Sequence, residues 1–519
     1  MAKDEKVEGS DGAGSCPYSG KAKKGSHTGT GKNKPNVGCP MHMISAYYVY
    51  GDDDPYKPAN PEDQPCQMPE PEPVSPYCRI FDANPDQPED DVLIELGKSM
   101  QDDRDPSELN SDIPAGYTYL GQFIDHDITA MVNAGALPNT SPVTIEDLDN
   151  ARSRTLDLDS VYDSPSPEMA VRNGDKMRIG ETVRLLGSTT DFVLPNDLPR
   201  NTNKKAIIGD PRNDENLAVA QTHLAFLKLH NRFVDEGMNF DDARKATIQH
   251  YQSMVINDFL PRIIAPEIYS RVFESDEDSV EMNDIDCMPI EFAVAAYRFG
   301  HSMVRNQYDW NRVFRAGGEI TQATLEDLFR FSEVSGDFRG LNTLPSNWVV
   351  DWRRLYDFGL GDDGPEVNMA RKIDTKLALK LERLEEFGAA GDLANLSIRN
   401  LLRSKQMQLP TGQQVAAAIG AEDISDQIEI SVDPELNQKT PLWFYILRES
   451  MVQQDGNRLG EVGSWIVAKT FKQLILDSEF SVLKDADFVP HPNASAGDGA
   501  VTMPSLLTFV DDINPLGGV

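Results

Sequence analysis

The sequence Gly121-Gln-Phe-Ile-Asp-His-Asp127 places one imidazole between two carboxylates, directly after the aromatic-rich run Tyr117-Thr-Tyr-Leu-Gly121. Acids among apolar residues are costly to bury, so the cluster predicts a function. Asp125 and Asp127 can hold His126 in place as a proton-handling group, bind a cation, or become attached covalently to a ligand. We therefore take this segment as the first candidate for a site.

A second histidine ends the mostly apolar, helix-like segment Phe292-Ala-Val-Ala-Ala-Tyr-Arg-Phe-Gly-His301. An imidazole at the end of such a segment can face a buried ligand. One histidine flanked by acids and another in an apolar helix, far apart in sequence, indicate the two faces of a haem. His126 would lie on one face and His301 on the other.

Composition excludes several classes of partner. The 519 residues include 84 acidic and 49 basic side chains, a formal net charge of −35, which argues against nucleic acids and anionic membranes. No apolar run approaches the roughly 20 residues of a membrane span, and the first residues lack the apolar core of a secretory signal. We therefore expect a soluble protein that is cytoplasmic or exported by a non-classical route, with no membrane span.

Five cysteines, an odd count, lie at Cys16, Cys39, Cys66, Cys78 and Cys287. Their spacing matches no zinc site. Free thiols in a reducing compartment are the simplest interpretation, and a local disulfide between the third and fourth cysteines is the alternative.

The composition of the chain changes near residue 90. Residues 1–90 are rich in glycine, serine, proline and acid, as in Pro69-Glu-Pro-Glu-Pro73, which predicts an extended arm. Beyond it, apolar residues recur every three to four positions in the stretches 217–234, 248–259 and 292–303. We predict a mainly α fold, a single large helical domain over residues 91–519 with few or no strands. No glycine-rich phosphate loop is present, so a nucleotide-dependent enzyme is not expected.

The segment Ile208-Gly-Asp-Pro-Arg-Asn-Asp-Glu-Asn216 places Arg212 in a turn ahead of a long amphipathic helix. Helix capping explains the acids of this turn but not the arginine. An arginine aimed at a buried site can stabilise charge that develops on a peroxide oxygen, while His126 moves the peroxide's proton to the departing hydroxide. This division of labour is what heterolytic O–O cleavage needs.

Three segments together resemble the animal-type haem peroxidases of the peroxidase–cyclooxygenase superfamily, especially their bacterial relatives. They are Gln122–Asp127, Gly209–Glu215 with the following Thr222–Arg232, and Tyr297–His301. The resemblance extends over roughly residues 90–510 and rests on spaced, specific motifs.

The resemblance implies a haem and assigns a role to each matching residue. His126 would be the distal base, Arg212 the catalytic arginine, and Gln122 a neighbour of the peroxide and halide pocket. His301 would bind the haem iron, and Arg298 would pair with a haem propionate.

The resemblance also assigns roles at the haem to two residues of a later segment, Ser397-Ile-Arg-Asn-Leu-Leu-Arg403. Asn400 resembles the asparagine that accepts a hydrogen bond from the proximal histidine, and Arg403 lies where a second propionate-binding arginine is expected. An amide oxygen accepts less strongly than a carboxylate, so His301 would stay closer to neutral and leave the iron more oxidising. This suits oxidation of halides or thiocyanate.

Members of the family often hold their haem through ester bonds from an aspartate and a glutamate. Asp125 and Glu215 occupy the matching positions, so the resemblance implies a haem b derivative that is ester-linked through both. Asn216 stands where the myeloperoxidase pattern has a sulfonium-forming methionine. A third link is not expected, nor is chloride as a good substrate.

A calcium site is implied by the loop Ser153-Arg-Thr-Leu-Asp-Leu-Asp159. Ca²⁺ takes roughly six to eight oxygen ligands. The loop offers them at every second residue, and the set of proposed ligands is Ser153, Thr155, Asp157, Asp159 and, from the distal segment, Asp127. The family's loop begins with threonine, and serine keeps the oxygen. Such an ion would pin the distal helix, so its removal should disturb the haem pocket.

The function implied is reduction of hydrogen peroxide with oxidation of iodide, bromide, thiocyanate or small aromatic donors through ferryl intermediates. Two alternatives stay open. A fatty-acid dioxygenase of the same superfamily has its tyrosine three residues before the proximal histidine, where this chain has Arg298, with Tyr297 one position away. The other is a non-enzymatic haem- or calcium-binding protein. The oligomeric state also stays open.

Overall fold

The computed structural model describes residues 75–518, except residues 103, 105–106, 133, 136, 138, 164–171, 186–187, 276–286, 319 and 385–390. Residues 1–74, and with them most of the predicted arm and Cys66, lie outside the described residues. Where the chain is described, helices are joined by loops and short strands. The prediction of a mainly α fold is confirmed.

The α-helices of the described residues are, in chain order, α1 Asp90–Ser99, α2 Gly116–Ile128, α3 Asp159–Tyr162, α4 Leu217–Asp235, α5 Phe240–Met254, α6 Leu260–Ile263, α7 Pro266–Tyr269, α8 Ile290–Val294, α9 Leu325–Arg330, α10 Leu396–Gln406, α11 Gly412–Ile419, α12 Leu442–Gln454, α13 Glu461–Asp477 and α14 Met503–Val510. Two 3₁₀ helices carry candidate site residues, Pro211–Asp214 and Ala296–Met303. None of the helices in this part of the chain combines the length and apolar character that crossing a bilayer requires.

The strands are short, and they are β1 Ser75–Cys78, β2 Gln101–Asp102, β3 Asn110–Pro114, β4 Met131–Val132, β5 Asp149–Asn150, β6 Arg172–Asn173, β7 Lys176–Met177, β8 Met288–Pro289, β9 Gln307–Tyr308, β10 Ala323–Thr324, β11 Met369–Arg371 and β12 Leu377–Ala378. A four-stranded sheet has the order β4-β5-β1-β8, in which β1 is antiparallel to β5 and parallel to β8. The remaining strands pair two by two as β9 with β10, β3 with β11, β2 with β12, and β6 with β7.

Helix α2 is a core helix. Every one of its residues except Gly121 is buried, which marks a helix surrounded by protein rather than one with a solvent face. It packs against α4 and against the 3₁₀ helix Ala296–Met303. The ring of Phe123 stacks on that of Phe226, with centroids 4.8 Å apart. The acids of α2 are therefore held in the core, where each needs a partner.

Helices α4 and α5 confirm two of the predicted helical stretches. The side chain of Asn216 accepts a hydrogen bond from the amide of Val219, 3.0 Å away, and so caps α4. Asn239 caps α5 in the same way through the amide of Asp242. A π-helix, Val255–Phe259, continues α5 to the end of the predicted stretch. Local apolar periodicity and capping agree in both helices, which is why sequence predicted them.

The third stretch, 292–303, is not one regular helix as its periodicity predicted. Helix α8 ends at Val294, and Ala295 leaves the helical conformation with φ −129° and ψ −67°. The chain then continues as the 3₁₀ helix. Nε of Arg298 donates to the carbonyl oxygen of Ala293 at 2.8 Å. The arginine therefore occupies an acceptor that a continuing α-helix would use.

Both interpretations of the cysteines are wrong for Cys78. It forms a disulfide with Cys287, 209 residues away in sequence, with a Cα–Cα distance of 5.7 Å. Parallel pairing of β1 with β8 brings the two cysteines together. Residues 75–78 fall in the range predicted as an extended arm, yet Tyr77 is buried and its strand is central in the sheet. This part of the predicted arm therefore belongs to the packed domain.

Candidate functional site

A cavity lies between α2 and the 3₁₀ helix Ala296–Met303. Its walls include four of the predicted site residues: Gln122 and Asp125 from α2, and Arg298 and His301 from the 3₁₀ helix. The other walls are Tyr117, Thr118, Gly121, Tyr297, Phe299, Gly300 and Met303. His126 and Arg212 are not among the residues that line this cavity. The fold thus brings together the motif on α2 and the predicted proximal segment.

His126 adjoins this cavity through Gln122 and Glu215. Its Nε2 lies 3.6 Å from Oε1 of Glu215, and the amide of Gln122 donates to the same oxygen. The opposite ring nitrogen, Nδ1, donates to Oδ1 of Asn213 at 2.8 Å. His126 is fully buried. The hydrogen bond to Asn213 therefore orients the ring, and Nε2 lies near Glu215 at more than hydrogen-bond distance.

Arg212 is held next to His126. Its Nη2 donates to the carbonyl oxygens of His126 at 3.0 Å and Thr129 at 2.8 Å. Its Nε donates to both carboxylate oxygens of Asp210, at 2.8 and 2.9 Å. Arg152 reaches Asp210 from the other side, with Nε 3.2 Å from Oδ2.

Burial alone would raise the pKa of Asp210. Arg212 and Arg152 outweigh burial and hold this pKa well below its usual value. Asp210 is thus a buried anion between two arginines, and it also caps the 3₁₀ helix by accepting from the amide of Arg212.

Glu215 lies deep in the protein, with no exposed surface. Burial raises its pKa well above the usual range, and Asp210 and Asp125 add to this, while Arg212 and the contact with Gln122 oppose it. Asn216 donates to Oε1 of Gln122 at 3.0 Å and so fixes the orientation of that amide. Within the described residues, Oε2 of Glu215 has no hydrogen-bond partner.

Asp125 binds partners on both oxygens. The hydroxyl of Thr129 donates to Oδ1 at 2.9 Å, and Nη1 of Arg298 donates to Oδ2 at 3.2 Å. Arg298, predicted to pair with a haem propionate, thus also makes an ion pair with one of the two residues predicted to form an ester. Both side chains are buried, with 4% of Arg298 and 8% of Asp125 exposed.

His301 contacts Asn400 of α10, the residue that the resemblance implied as acceptor for its ring proton. The two side chains meet at Nδ2 of Asn400 and Nδ1 of His301, 2.8 Å apart. Burial, together with Arg298, lowers the pKa of His301 to about 3, which keeps the ring neutral. With this amide orientation Nδ2 donates and the ring proton sits on Nε2. A half-turn of the amide would let Nδ1 donate to Oδ1 and leave Nε2 bare for a metal.

Arg403 lies three residues after Asn400 on the same helix. Its Nη1 donates to the carbonyl oxygens of Ala134 and Gly135, at 2.9 and 3.1 Å, and to the side chain of Gln406. Among the residues that the structure describes, its Nε and Nη2 are buried without hydrogen-bond partners. A buried guanidinium with two unused donors is the kind of group that binds a carboxylate.

The predicted calcium ligands lie close together in part. Asp127 accepts from the amides of Leu158 and Ser160 at 3.1 and 3.2 Å, and Asp159 accepts from the amide of Ser153 at 2.8 Å. The hydroxyls of Ser153 and Thr155 are 2.7 Å apart.

Asp157 is held differently from the other two acids of the set. It accepts from Gln252 at 3.4 Å and from the hydroxyl of Ser478. Burial raises the pKa of Asp127 well above its usual value, and the nearby charge of Asp159 adds to this. Over the described residues, no three Asp, Glu, His or Cys side chains stand in a metal-binding arrangement.

Three further residues belong to this region and were not predicted. Asp210 and Asn213 lie inside the motif that identified Arg212, but only geometry reveals what they hold. Tyr77 comes from the predicted arm. Its buried hydroxyl has no hydrogen-bond partner within the described residues, and its electrostatic neighbours are Asp125, Arg298 and Arg212. No feature of the local sequence distinguishes it.

These residues fit a haem. Two buried imidazoles, His126 and His301, belong to the segments on either side of the cavity. The unused donors of Arg403 and the unused oxygen of Glu215 supply groups for propionates and for attachment. The porphyrin's apolar faces match the aromatic cavity walls.

Comparison with known proteins finds a family match and relatives for part of the chain. The family model described as animal haem peroxidase matches residues 144–335, which include Arg212 and His301 but not the segment of His126. A peroxidase-like protein of Margaritifera margaritifera is 26% identical over 289 residues, 44% of this chain, and the chain spans only 36% of that relative's length.

Solved structures show the same fold. Peroxidase A of Dictyostelium discoideum superposes with a TM-score of 0.58 at 16% identity, covering 86% of this chain and 94% of that one. The fatty acid alpha-dioxygenase of Oryza sativa gives a TM-score of 0.50 at 12% identity, covering 84% and 79%. The family match and the shared fold support membership of the peroxidase–cyclooxygenase superfamily. Within it, residues 144–335 are similar to the animal haem peroxidases.

Proposed function

We propose that the protein binds haem, reduces hydrogen peroxide, and oxidises small anionic or aromatic donors, such as iodide, bromide, thiocyanate or phenols. The observation that carries the proposal is the joint placement of His126 and Arg212. One 3₁₀ turn, Pro211–Asp214, holds the ring of His126 through Asn213 and its carbonyl through Arg212. This pair adjoins the cavity that His301 lines.

The residues have distinct tasks in the proposed reaction. Nε2 of His126 takes the proton of the peroxide oxygen nearer the cavity centre and delivers it to the departing hydroxide. Arg212 adds positive charge where negative charge develops on the oxygens. Haem, when bound, supplies the two electrons that cleave the O–O bond and then takes electrons from the donor. His301 binds the iron, and Arg298 and Arg403 bind the propionates.

Covalent attachment through Asp125 and Glu215 is part of the proposal. Asp125 lines the cavity, and Glu215 has one buried oxygen without a hydrogen-bond partner in the described part of the chain. Because these carboxyls come from different elements, two esters would fasten the haem edge to both α2 and the turn that follows Arg212. Asn216 supplies no sulfur for a third bond, so two links are the proposed maximum.

A calcium ion bound by Asp127, Ser153, Thr155, Asp157 and Asp159 completes the proposal. The raised pKa values of Asp127, Asp157 and Asp159 reflect burial first. Repulsion from Asp159 adds to the shift of Asp127 and Asp157, and repulsion from Asp163 adds to that of Asp159. A divalent cation would relieve that repulsion. Bound at Asp127, the ion would stabilise the end of α2 next to His126.

One observation favours a second candidate function, the fatty-acid dioxygenase. Tyr297 lines the cavity, and its buried hydroxyl has no hydrogen-bond partner among the described residues. A phenol in that position could give up a hydrogen atom to an oxidised haem. The position is one residue from the expected register, so the peroxidase remains the main proposal.

Stopped-flow absorbance of the haem-loaded protein tests the function. Hydrogen peroxide should lower the intensity of the haem Soret band, and iodide or bromide should restore it. A band that peroxide leaves unchanged would contradict the peroxidase. Oxygen uptake with a long-chain fatty acid, and none with peroxide and halide, would establish the dioxygenase instead. A chain that binds no haem would overturn the role of His301.

A further inference from the structure

We propose that Asn213 and His223 form a hydrogen-bond relay that fixes the tautomer of His126, with the ring proton on Nδ1 and the lone pair on Nε2. The relay deepens the proposed function, since it rests on His126 being the base. His223 and Asn213 act as positioning residues, because neither lies against the cavity.

The relay is a linear chain of three side chains from three elements. Nδ1 of His126, on α2, lies 2.8 Å from Oδ1 of Asn213, on the 3₁₀ turn. Nδ2 of Asn213 lies 2.9 Å from Nδ1 of His223, on α4. All three residues are fully buried. Both contacts are therefore direct hydrogen bonds between side chains that solvent does not reach.

The chemistry of the amide decides which atom donates at each end. A carbonyl oxygen accepts only, so Nδ1 of His126 must carry a proton to reach Oδ1 of Asn213. An amide nitrogen donates only, so Nδ1 of His223 must be bare and its proton must sit on Nε2. One amide orientation thus sets both tautomers.

For two neutral rings, the reverse arrangement is the only other self-consistent state. If the amide of Asn213 turned over, Nδ1 of His126 would be bare and its proton would move to Nε2. The ring could not then accept a proton from peroxide at the nitrogen that faces Glu215. Gln122 donates to the same glutamate oxygen and also lines the cavity, so Nε2 is the nitrogen on the cavity side.

His223 is suited to anchor the relay. Burial lowers its pKa to about 3, with only Asp210 opposing, so the ring stays neutral and keeps a lone pair for Asn213. Its Nε2 has no hydrogen-bond partner within the described residues. The ring packs against Phe123, with a centroid distance of 6.0 Å and an interplanar angle of 80°.

Nitrogen NMR tests the relay directly. The full chain is labelled with ¹⁵N in histidine only, and the ring nitrogens are observed with and without haem, the haem form as its diamagnetic ferrous carbon monoxide complex. His126→Gln and His223→Gln spectra assign the signals. We expect a protonated Nδ1 and bare Nε2 for His126, and the reverse for His223. A protonated Nε2 in His126 of the unaltered protein would overturn the relay.

Two substitutions separate orientation from packing. Asn213→Asp keeps an acceptor for His126 and loses the donor to His223, so His126 should keep its tautomer while His223 no longer has a fixed one. Asn213→Leu removes both contacts and should give His126 a mixture of tautomers. Reaction with peroxide should slow about tenfold in the leucine variant and much less in the aspartate variant. Unchanged His126 signals in the leucine variant would also refute the relay.

The tautomer is read from the spectrum whether or not peroxide reacts. A correct tautomer with no peroxide reaction would refute the proposed function and leave the relay standing. A normal peroxide reaction with the proton of His126 on Nε2 would support the proposed function and refute the relay.

Discussion

Arg298 donates from Nη1 to Oδ2 of Asp125, 3.2 Å away, and so joins the segment of His301 to α2. The pair is buried, and a lone charge at either position would be costly. Asp125 is therefore held next to the cavity, and its orientation is set from the proximal side. An ester at Asp125 would release Arg298 for a haem propionate. Attachment and propionate binding would then be coupled through one contact.

Asp125→Asn tests this coupling through haem retention. Acidified organic solvent should extract little haem from the unaltered protein and part of it from the variant, because one of two proposed esters is lost. Mass spectrometry of the haem peptide identifies the bond. Asp147→Asn, at an exposed acid of the same charge, is the matched control. Complete extraction of intact haem from the unaltered protein would contradict the proposed ester bonds.

His126→Ala and Arg212→Ala should both keep haem and lose reactivity. Removing a general base costs about 10²- to 10⁴-fold in the proton-transfer step, and removing a charge-stabilising group costs about 10²- to 10³-fold. The rate of Soret change with peroxide measures both. Arg383→Ala, at an exposed arginine, should react normally. Full reactivity in either distal variant would mean that the distal assignment is wrong.

Asp210→Asn should affect both stability and the rate with peroxide. The carboxylate lies between Arg212 and Arg152, and its loss leaves two buried cations short of a partner. Breaking such a buried pair costs about 3–5 kcal/mol of unfolding free energy, which denaturant titration measures. Asp86→Asn, which breaks the exposed pair with Lys439, should leave the unfolding free energy almost unchanged. An equal loss of unfolding free energy in the two variants would show that Asp210 does not stabilise the fold as a buried ion-pair partner.

Sequence predicted the parts of this structure that depend on local spacing. Helices α4 and α5 follow from apolar periodicity and asparagine caps, because both features lie within the helix itself. The break at Ala295 does not follow from periodicity, because it depends on the hydrogen bond that the side chain of Arg298 donates to the carbonyl oxygen of Ala293. The disulfide between Cys78 and Cys287 could not be predicted from local sequence either. The two cysteines are 209 residues apart, and only the pairing of β1 with β8 brings them together.

The same distinction separates the site residues. The motifs that contain His126, Arg212 and His301 are read directly from the chain. The partners that orient them are not, because Asp210 and Asn213 are ordinary turn residues until the fold supplies an arginine and an imidazole at the right distance. Tertiary contacts, rather than local propensity, assign those roles.

Calcium removal should change the haem spectrum if the proposed ion binds at Asp127. Dialysis against a strong chelator should shift or weaken the Soret band and lower the melting temperature, and added Ca²⁺ should reverse both. Asp159→Ala should make the protein insensitive to the chelator. Asp362→Ala, on an exposed turn, is the control and should respond to the chelator as the unaltered protein does. A spectrum and melting temperature that the chelator leaves unchanged, with no calcium detected by elemental analysis, would exclude the site.

Glu291 should make the protein less stable as pH rises from about 4.5 to 7. Its carboxyl group accepts from the amides of Ile80 and Phe81, both at 3.2 Å, and so fastens the chain after Cys78 to α8. Burial raises the pKa of Glu291 from 4.5 to about 7, although those hydrogen bonds oppose the shift. A raised carboxyl pKa means that the native state holds the proton over this range while the unfolded state releases it.

The stabilising contribution of protonated Glu291 is therefore complete below pH 4.5 and is lost as pH passes 7. The loss amounts to about 3 kcal/mol by the linkage relation. Glu291→Gln cannot titrate, so the unfolding free energy of the unaltered protein minus that of the variant should fall by this amount across the window. Other buried acids, such as Glu382 and Glu449, are common to both proteins and cancel in the difference. Denaturant titrations at matched haem content measure it, with exposed Glu435→Gln as the control. A difference that stays constant with pH would show that Glu291 ionises as easily in the folded chain as in the unfolded one.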